Sequence, residues 1–253
     1  MSSLFKITKL QQQKLFRLIT IPTIALLFGI ASAQAQDSNA FKNIALTYTI
    51  NLVSSKLGNA TVGQLETTLT QEQGQYSVHS RTRAQGLAAI LIGSDLQQNC
   101  TFDIQDGRVV SNDYSGGRKT SDDYQVSFDW NNRKINFTDG ESLDMPQGYL
   151  IDLCNMSFAA ALLKEDGLAN DTLYVLDGKK KRILGYKLKE SAKELIETPV
   201  GSFDTIKIVL EREFKPERTF SLWLSLNHDY VPIKMEDKRS SRTLTILANA
   251  IEN

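Results

Sequence analysis

The chain has 253 residues, 29 Lys and Arg against 29 Asp and Glu, two cysteines and two histidines. Such a balance excludes the basic excess of a nucleic-acid binder, and so few His and Cys give no converging metal-ligand spacing. The length is enough to bury a real core without obligatory staples.

Residues 1–35 read as a secretory signal peptide. Lys6, Lys9, Lys14 and Arg17 stand without an acidic neighbour, an apolar stretch runs from Leu18 to Ala31, and Ala31-Ser32-Ala33-Gln34-Ala35-Gln36 follows as a small-residue cleavage pattern. Two A-x-A sites compete, one ending at Ala33 and one at Ala35. The alternative is a retained anchor, but the apolar core is shorter than the roughly 20 residues a spanning helix needs and contains Pro22. No cysteine stands near the cleavage site, so there is no lipoprotein acylation signal. Removing the four leader charges leaves 25 basic residues against 29 acidic, a net charge of −4. That balance also argues against strong electrostatic attraction to an anionic membrane surface. The expectation is a periplasmic protein with one β-rich domain over 36–253 and no transmembrane segment in it.

Period-2 alternation then dominates. Ile44, Leu46, Tyr48, Ile50 and Leu52 alternate with small and polar residues as a half-buried strand. Val62 gives way to Leu65, Thr67 and Leu69 with a change of phase across Gly63, as at a bulge. Tyr76 and Val78 oppose His79, Arg81 and Arg83. Tyr124, Val126, Phe128 and Trp130 share a face, as do Ile206, Ile208 and Leu210, and again Phe220, Leu222, Leu224 and Leu226. Asp106-Gly107, Asp139-Gly140 and Asp177-Gly178 are tight-turn dipeptides. Asn131-Asn132, Thr198-Pro199-Val200-Gly201 and Asn227-His228-Asp229 punctuate the later runs. The pattern predicts roughly ten to thirteen short strands in a mainly β fold. The architecture expected is a curved antiparallel sheet, as a roll or open barrel, with one amphipathic helix packed against it. That helix is predicted over Tyr149 to Leu163, with an apolar stripe of Leu150, Leu153, Cys154, Phe158, Ala161 and Leu162, and Asp166-Gly167 as its end.

Few residues suggest chemistry. His79 falls on an outward strand face and His228 in a turn, and no Gly-x-Ser-x-Gly nucleophile elbow is present. A Ser-His-Asp arrangement assembled from distant positions stays open. Cys100 and Cys154, an even pair in an exported chain, read as a candidate disulfide tying helix to sheet; two buried thiols acting as small hydrophobes are the alternative. The run Leu87-Ala88-Ala89-Ile90-Leu91-Ile92 reads as buried or as a lip over a cavity. Arg118-Lys119 and Lys179-Lys180-Lys181-Arg182 read as solvated tips or as anion-docking clusters. Asp122 with Asp123, and Asp139 with Glu141, lack the defined separation that paired catalytic carboxylates need.

Several segments, in order, resemble the bacterial exported family known as domain of unknown function 3108. They are Arg83-Ala84-Gln85-Gly86-Leu87-Ala88-Ala89, Phe128-Asp129-Trp130, and the helix around Asp152 to Leu163. They continue with Glu197-Thr198-Pro199-Val200-Gly201-Ser202-Phe203, and with Leu222-Trp223-Leu224-Ser225 before Tyr230-Val231-Pro232-Ile233. The resemblance implies a periplasmic curved sheet with a helix, and brings no activity, cofactor or catalytic residue. The functional expectation is a noncatalytic binder or carrier of an apolar envelope ligand, a lipid or acyl chain. Leu46, Tyr48, Tyr124, Phe128, Trp130, Phe158 and Leu162 are the candidate lining. The alternatives are an assembly factor for another envelope protein and a hydrolase with an unrecognised site. No cofactor or metal is expected, and the oligomeric state is left open.

Overall fold

The first half of the sheet is a meander of hairpins: β1 (Ile44–Ser54), β2 (Gly58–Glu72), β3 (Gln75–Ala84), β4 (Leu96–Gln105), β5 (Arg108–Gly117), β6 (Tyr124–Asp129), β7 (Lys134–Phe137) and β8 (Ser142–Asp144). Then come β9 (Tyr149–Asp152), helix α1 (Met156–Leu168), β10 (Leu173–Asp177), β11 (Arg182–Thr198), β12 (Gly201–Arg212), β13 (Lys215–Ser225), β14 (Pro232–Arg239) and β15 (Arg242–Glu252). The structure, a computed structural model, describes residues 40–55, 58–86, 95–118, 123–169 and 171–252, without side chains at 164–166 and 168. The leader, the Leu87–Ile92 run, Lys119 and Asp122 lie outside the described residues.

All fifteen described strands form one sheet, in the order β8-β7-β6-β5-β4-β3-β2-β1-β15-β14-β13-β12-β11-β10-β9. The β1–β15 pairing joins the two halves, and β8 and β9 are the free edges. Every pair is antiparallel except β9 with β10, which α1 connects as a parallel crossover. The expected curved, mainly antiparallel sheet with a helix is therefore what the chain forms.

Local chemistry explains most of it. β1 buries Ile44, Leu46, Tyr48 and Ile50 in strict alternation, and its register with β2 shifts opposite Gly63, at the position of the expected bulge. Asp106 (φ 51°) and Gly107 (φ 70°) are both left-handed, as a two-residue hairpin turn matched to strand twist demands. At Asp177-Gly178 the connection differs from the tight turn expected. A 3-10 turn follows, Gly178–Lys180, and the left-handed residue is Lys181 (φ 45°).

The helix boundaries also differ. Tyr149–Asp152 is strand β9, and α1 begins only at Met156 and runs on through Asp166-Gly167 to Leu168. The spacing of Leu150 and Leu153 fits a helix, but Leu150, Ile151 and Asp152 are buried in a row, as in a parallel strand covered on both faces. From Met156 the residues Ser-Phe-Ala-Ala-Ala-Leu-Leu favour helix, with no β-branched side chain. Met156, Phe158, Ala159, Ala160 and Ala161 are all buried, so the first turns of α1 are enclosed on more than one side.

Candidate functional site

The two halves of the sheet meet along a seam that side chains fasten without a ladder. Strand β5 lies against β9. Across it Val109 N donates to Tyr149 Oη at 3.0 Å and Asn155 Nδ2 to Ser111 Oγ at 2.8 Å, while within the first half Trp130 Nε1 donates to the Ser111 carbonyl at 2.8 Å. The Cys100–Cys154 disulfide joins β4 to the turn before α1, Cα to Cα 6.1 Å. Lys181 bridges Asp139 and Glu141 near the free edge, so both carboxylates of this pair are engaged in an ion-pair cluster. Gly178 makes the close approach possible: a Cβ there would lie 2.7 Å from Tyr124 Cε2 and 3.0 Å from Tyr114 Cε1. Gly178→Ala is expected to lower stability by about 1–3 kcal/mol through overpacking. Urea unfolding measures it, and an unchanged midpoint would show that the seam yields freely.

Asp152 sits at the centre of this seam, fully buried. Its Oδ1 accepts from Cys154 N (2.9 Å) and Asn155 N (3.1 Å), and its Oδ2 from Asn155 Nδ2 (2.8 Å). Burial pushes its carboxyl up to about 7, against the pull of these donors and of Ser111. Around it, Gln98 Nε2 and Tyr124 Oη both donate to Tyr114 Oη, at 2.8 and 2.7 Å, and burial raises both phenols above their ordinary range. Asn155 Oδ1 is buried without a donor. The potential ligand atoms of Cys100, Asp152 and Cys154 lie within 4.8 Å of one another, but the bridge consumes both thiolates and leaves one carboxylate, too few to hold a metal. Sequence reasoning missed Asp152, Asn155 and Ser111. The signal was there: Asp152 and Asn155 precede the apolar run of α1 as helix-start residues do.

A second region is apolar. Residues opposite one another in paired strands share a face. Ile208, Leu222, Met235, Ile246 and Ile50 form one inward row across β12–β13–β14–β15–β1. Leu210, Phe220, Asp237, Leu244 and Leu52 form the next. Ile208, Leu210 and Leu222 are fully buried, whereas Met235, Ile246, Phe220, Leu244 and Leu52 are only half-buried. β11 curls back against β15, so the half-buried patch lies on the inner face of the curl, with Phe220, Met235 and Ile246 packed against the core cluster. At the opposite end of β1, Phe41, Ile44, Leu69, Phe158 and Val231 line a pit of about 160 Å³, rimmed by Lys42, His228 and Asp229.

Of the seven residues expected to line a ligand, Leu46, Tyr48, Phe128 and Phe158 are buried in the core cluster, and Tyr124, Trp130 and Leu162 pack against it. Tyr48 Oη donates to the Pro232 carbonyl at 2.9 Å. Phe158 also reaches the pit, and Tyr124 lines polar grooves at the seam. His79 is exposed, with Nδ1 2.5 Å from Asn99 Oδ1. His228 Nδ1 is 3.0 Å from Ser225 Oγ, but Ser225 is fully buried, where its hydroxyl braces the turn and no substrate reaches it. Among the described residues no helix is long and apolar enough to cross a membrane.

The model of a protein family of unknown function, DUF3108, matches residues 47–246. The chain belongs to this family. Its fold is similar to that of a β-barrel-like protein of domain of unknown function DUF1849 from Brucella abortus, with a TM-score of 0.56, 11% identity, and coverage of 84% of this chain and 98% of that one. Two further structures align over 86% of this chain and 87% of theirs. A putative outer membrane lipoprotein-sorting protein domain from Vibrio parahaemolyticus does so at TM-score 0.25 and 10% identity, and a DUF1329 family protein from Desulfovibrio piger at 0.28 and 7%. At those scores neither carries weight. No curated protein matches. DUF3108 membership thus accounts for the ordered segments that resembled it, and the DUF1849 likeness speaks for the fold alone.

Proposed function

We propose that the chain is a noncatalytic periplasmic protein that binds an apolar envelope ligand, a lipid tail or acyl chain, in the trough of the curled sheet. The observation that carries this reading is the incomplete burial of one contiguous inward patch: Leu52, Phe220, Met235, Leu244 and Ile246. Inward apolar side chains of a β fold normally complete a packed core. Half-open, on a concave wall, they favour a narrow apolar guest, as in other curved β folds. Of the seven residues expected from the sequence, Tyr48 stands in the row adjoining the patch, and all seven belong to or pack against the core cluster. The disulfide supports export, since such bridges persist in oxidising compartments.

Native mass spectrometry of the protein purified from its own envelope, followed by solvent extraction, tests the reading. The expected result is a lipid-sized adduct lost on denaturation and absent from Leu244→Glu, whose circular dichroism matches wild type. A bare mass from the wild type, or an adduct indifferent to Leu244→Glu, would sink it.

A further inference from the structure

The end of the sheet that carries the half-buried patch also carries, among others, the β1–β2, β12–β13 and β14–β15 connections. Antiparallel pairing brings them together there, since β1, β12 and β14 all run toward that end. At the β12–β13 tip stands Phe214. The residue is 97% exposed, and its backbone is left-handed at φ 59°. A single exposed Leu or Val is ordinary on a protein surface. A bulky residue in the left-handed region is not, because that conformation normally falls to Gly, Asn or Asp. The tip thus holds a phenyl ring away from every part of its own fold, in a position that a glycine would fill with less strain.

The charges around it are mainly positive. Arg212 and Lys215 flank the tip and pair across it. Lys238 and Arg242 are exposed on the β14–β15 hairpin. Arg239 beside them is held by Asp237. The nearby acids are engaged as well: Glu213 pairs with Lys187 at 3.3 Å, Glu211 with Lys189 at 2.6 Å, and Glu217 approaches Arg218 at 3.9 Å. Val53, on the last turns of β1, adds a second exposed apolar side chain at the same end. The chain as a whole is acidic once the leader charges are set aside, but this rim is not.

We propose that Phe214 is the tip by which the protein docks on an anionic lipid surface, with the basic rim against the headgroups and the ring among the acyl chains. One ring covers about 150–250 Å², well short of the roughly 1,000 Å² of a stable protein interface. Together with a basic rim it is enough for weak, reversible docking on a bilayer, where an apolar ring beneath a ring of Lys and Arg has both its environments satisfied. Docking would set the trough beside the source of its ligand. The inference rests on the apolar-ligand reading for its purpose but not for its test.

The test uses the mature full-length protein and vesicles of phosphatidylethanolamine and phosphatidylglycerol. Phe214→Trp places an indole at the tip, read by difference against the wild type with its native Trp130 and Trp223. On adding vesicles its emission should move to shorter wavelength and be quenched by brominated acyl chains. Phe214→Asp should weaken vesicle co-sedimentation by about tenfold or more, while binding of soluble decanoate stays as in the wild type. An indole that keeps its water-exposed emission beside vesicles overturns the proposal. So does a Phe214→Asp variant that co-sediments normally, or one that loses decanoate binding in solution, which would make Phe214 part of the ligand site. If decanoate never binds but the indole still enters the bilayer, docking stands and the carrier reading falls.

Discussion

Replacing Cys100 and Cys154 together by alanine is expected to lower the unfolding free energy substantially. The bridge spans 54 residues, and in the chain-entropy model a loop of that size is worth about 4 kcal/mol. The closed loop contains β5 to β9 and both walls of the seam. Without the bridge, the unfolded chain regains the freedom to separate β4 from the start of α1. The folded chain retains the Ser111–Asn155 and Val109–Tyr149 hydrogen bonds as its remaining fasteners there. Cys100 is buried, so alanine is the better probe, since a serine hydroxyl would add a desolvation cost of its own. Urea unfolding of wild type and double variant measures the difference, with reduced wild type as the control. A loss under about 1 kcal/mol would mean that native-state relaxation offsets the chain entropy. Hydrogen exchange localises the effect: the amides of α1 should lose protection before those of β12 and β13.

The second large effect concerns Asp152 and pH. Its carboxyl is raised from an ordinary 3.8 to about 7, mainly because burial disfavours the charge. The unfolded chain exposes the same group to water. Between those two values the folded state therefore holds one proton more than the unfolded state. Stability from this source is fully present below the unfolded value, falls as pH rises, and is lost once pH passes through about 7. Over some three pH units the linkage amounts to about 4 kcal/mol. The wild type should thus lose stability between mildly acidic and mildly alkaline buffer. Asp152→Asn, neutral throughout, should flatten that dependence and be the more stable protein above pH 8. Asp152→Ala behaves differently. It leaves the amides of Cys154 and Asn155 without their acceptor, each at about 1–3 kcal/mol, and should be destabilised across the whole range. Urea midpoints for the three proteins across pH decide the matter. A wild-type slope that persists in Asp152→Asn would place the titrating group elsewhere.

Asp152 and the bridge show how differently parts of the chain can be read. The alternation through Ile44 to Leu52, the bulge at Gly63 and the turn at Asp106-Gly107 are local. A side chain two positions on faces the same way whatever the rest of the chain does, and a left-handed turn needs its Asp and Gly wherever it sits. Tyr149 to Leu153 misled, because apolar residues at helical spacing are equally compatible with a strand buried on both faces. Placing the helix start too early also concealed Asp152 and Asn155 as the residues that introduce α1. The half-buried patch was hidden for a related reason. Leu244 and Leu222 have the same alternation and the same chemistry, and only the curl of the sheet leaves one half-open and the other buried.

The sequence by itself determined the β class, most strand positions and turns, the cysteine pair and the family. Those are properties of short-range sterics, of side-chain periodicity and of segments in order. The tertiary structure decided where β5 meets β9, which put Asp152 in the dark beside a disulfide. It decided that the inward face is complete around α1 and incomplete at the other end, and that Phe214 stands out beyond it. Each of these depends on how far a fifteen-stranded sheet curls, and that is a sum of small twists over all its strands that no short segment encodes.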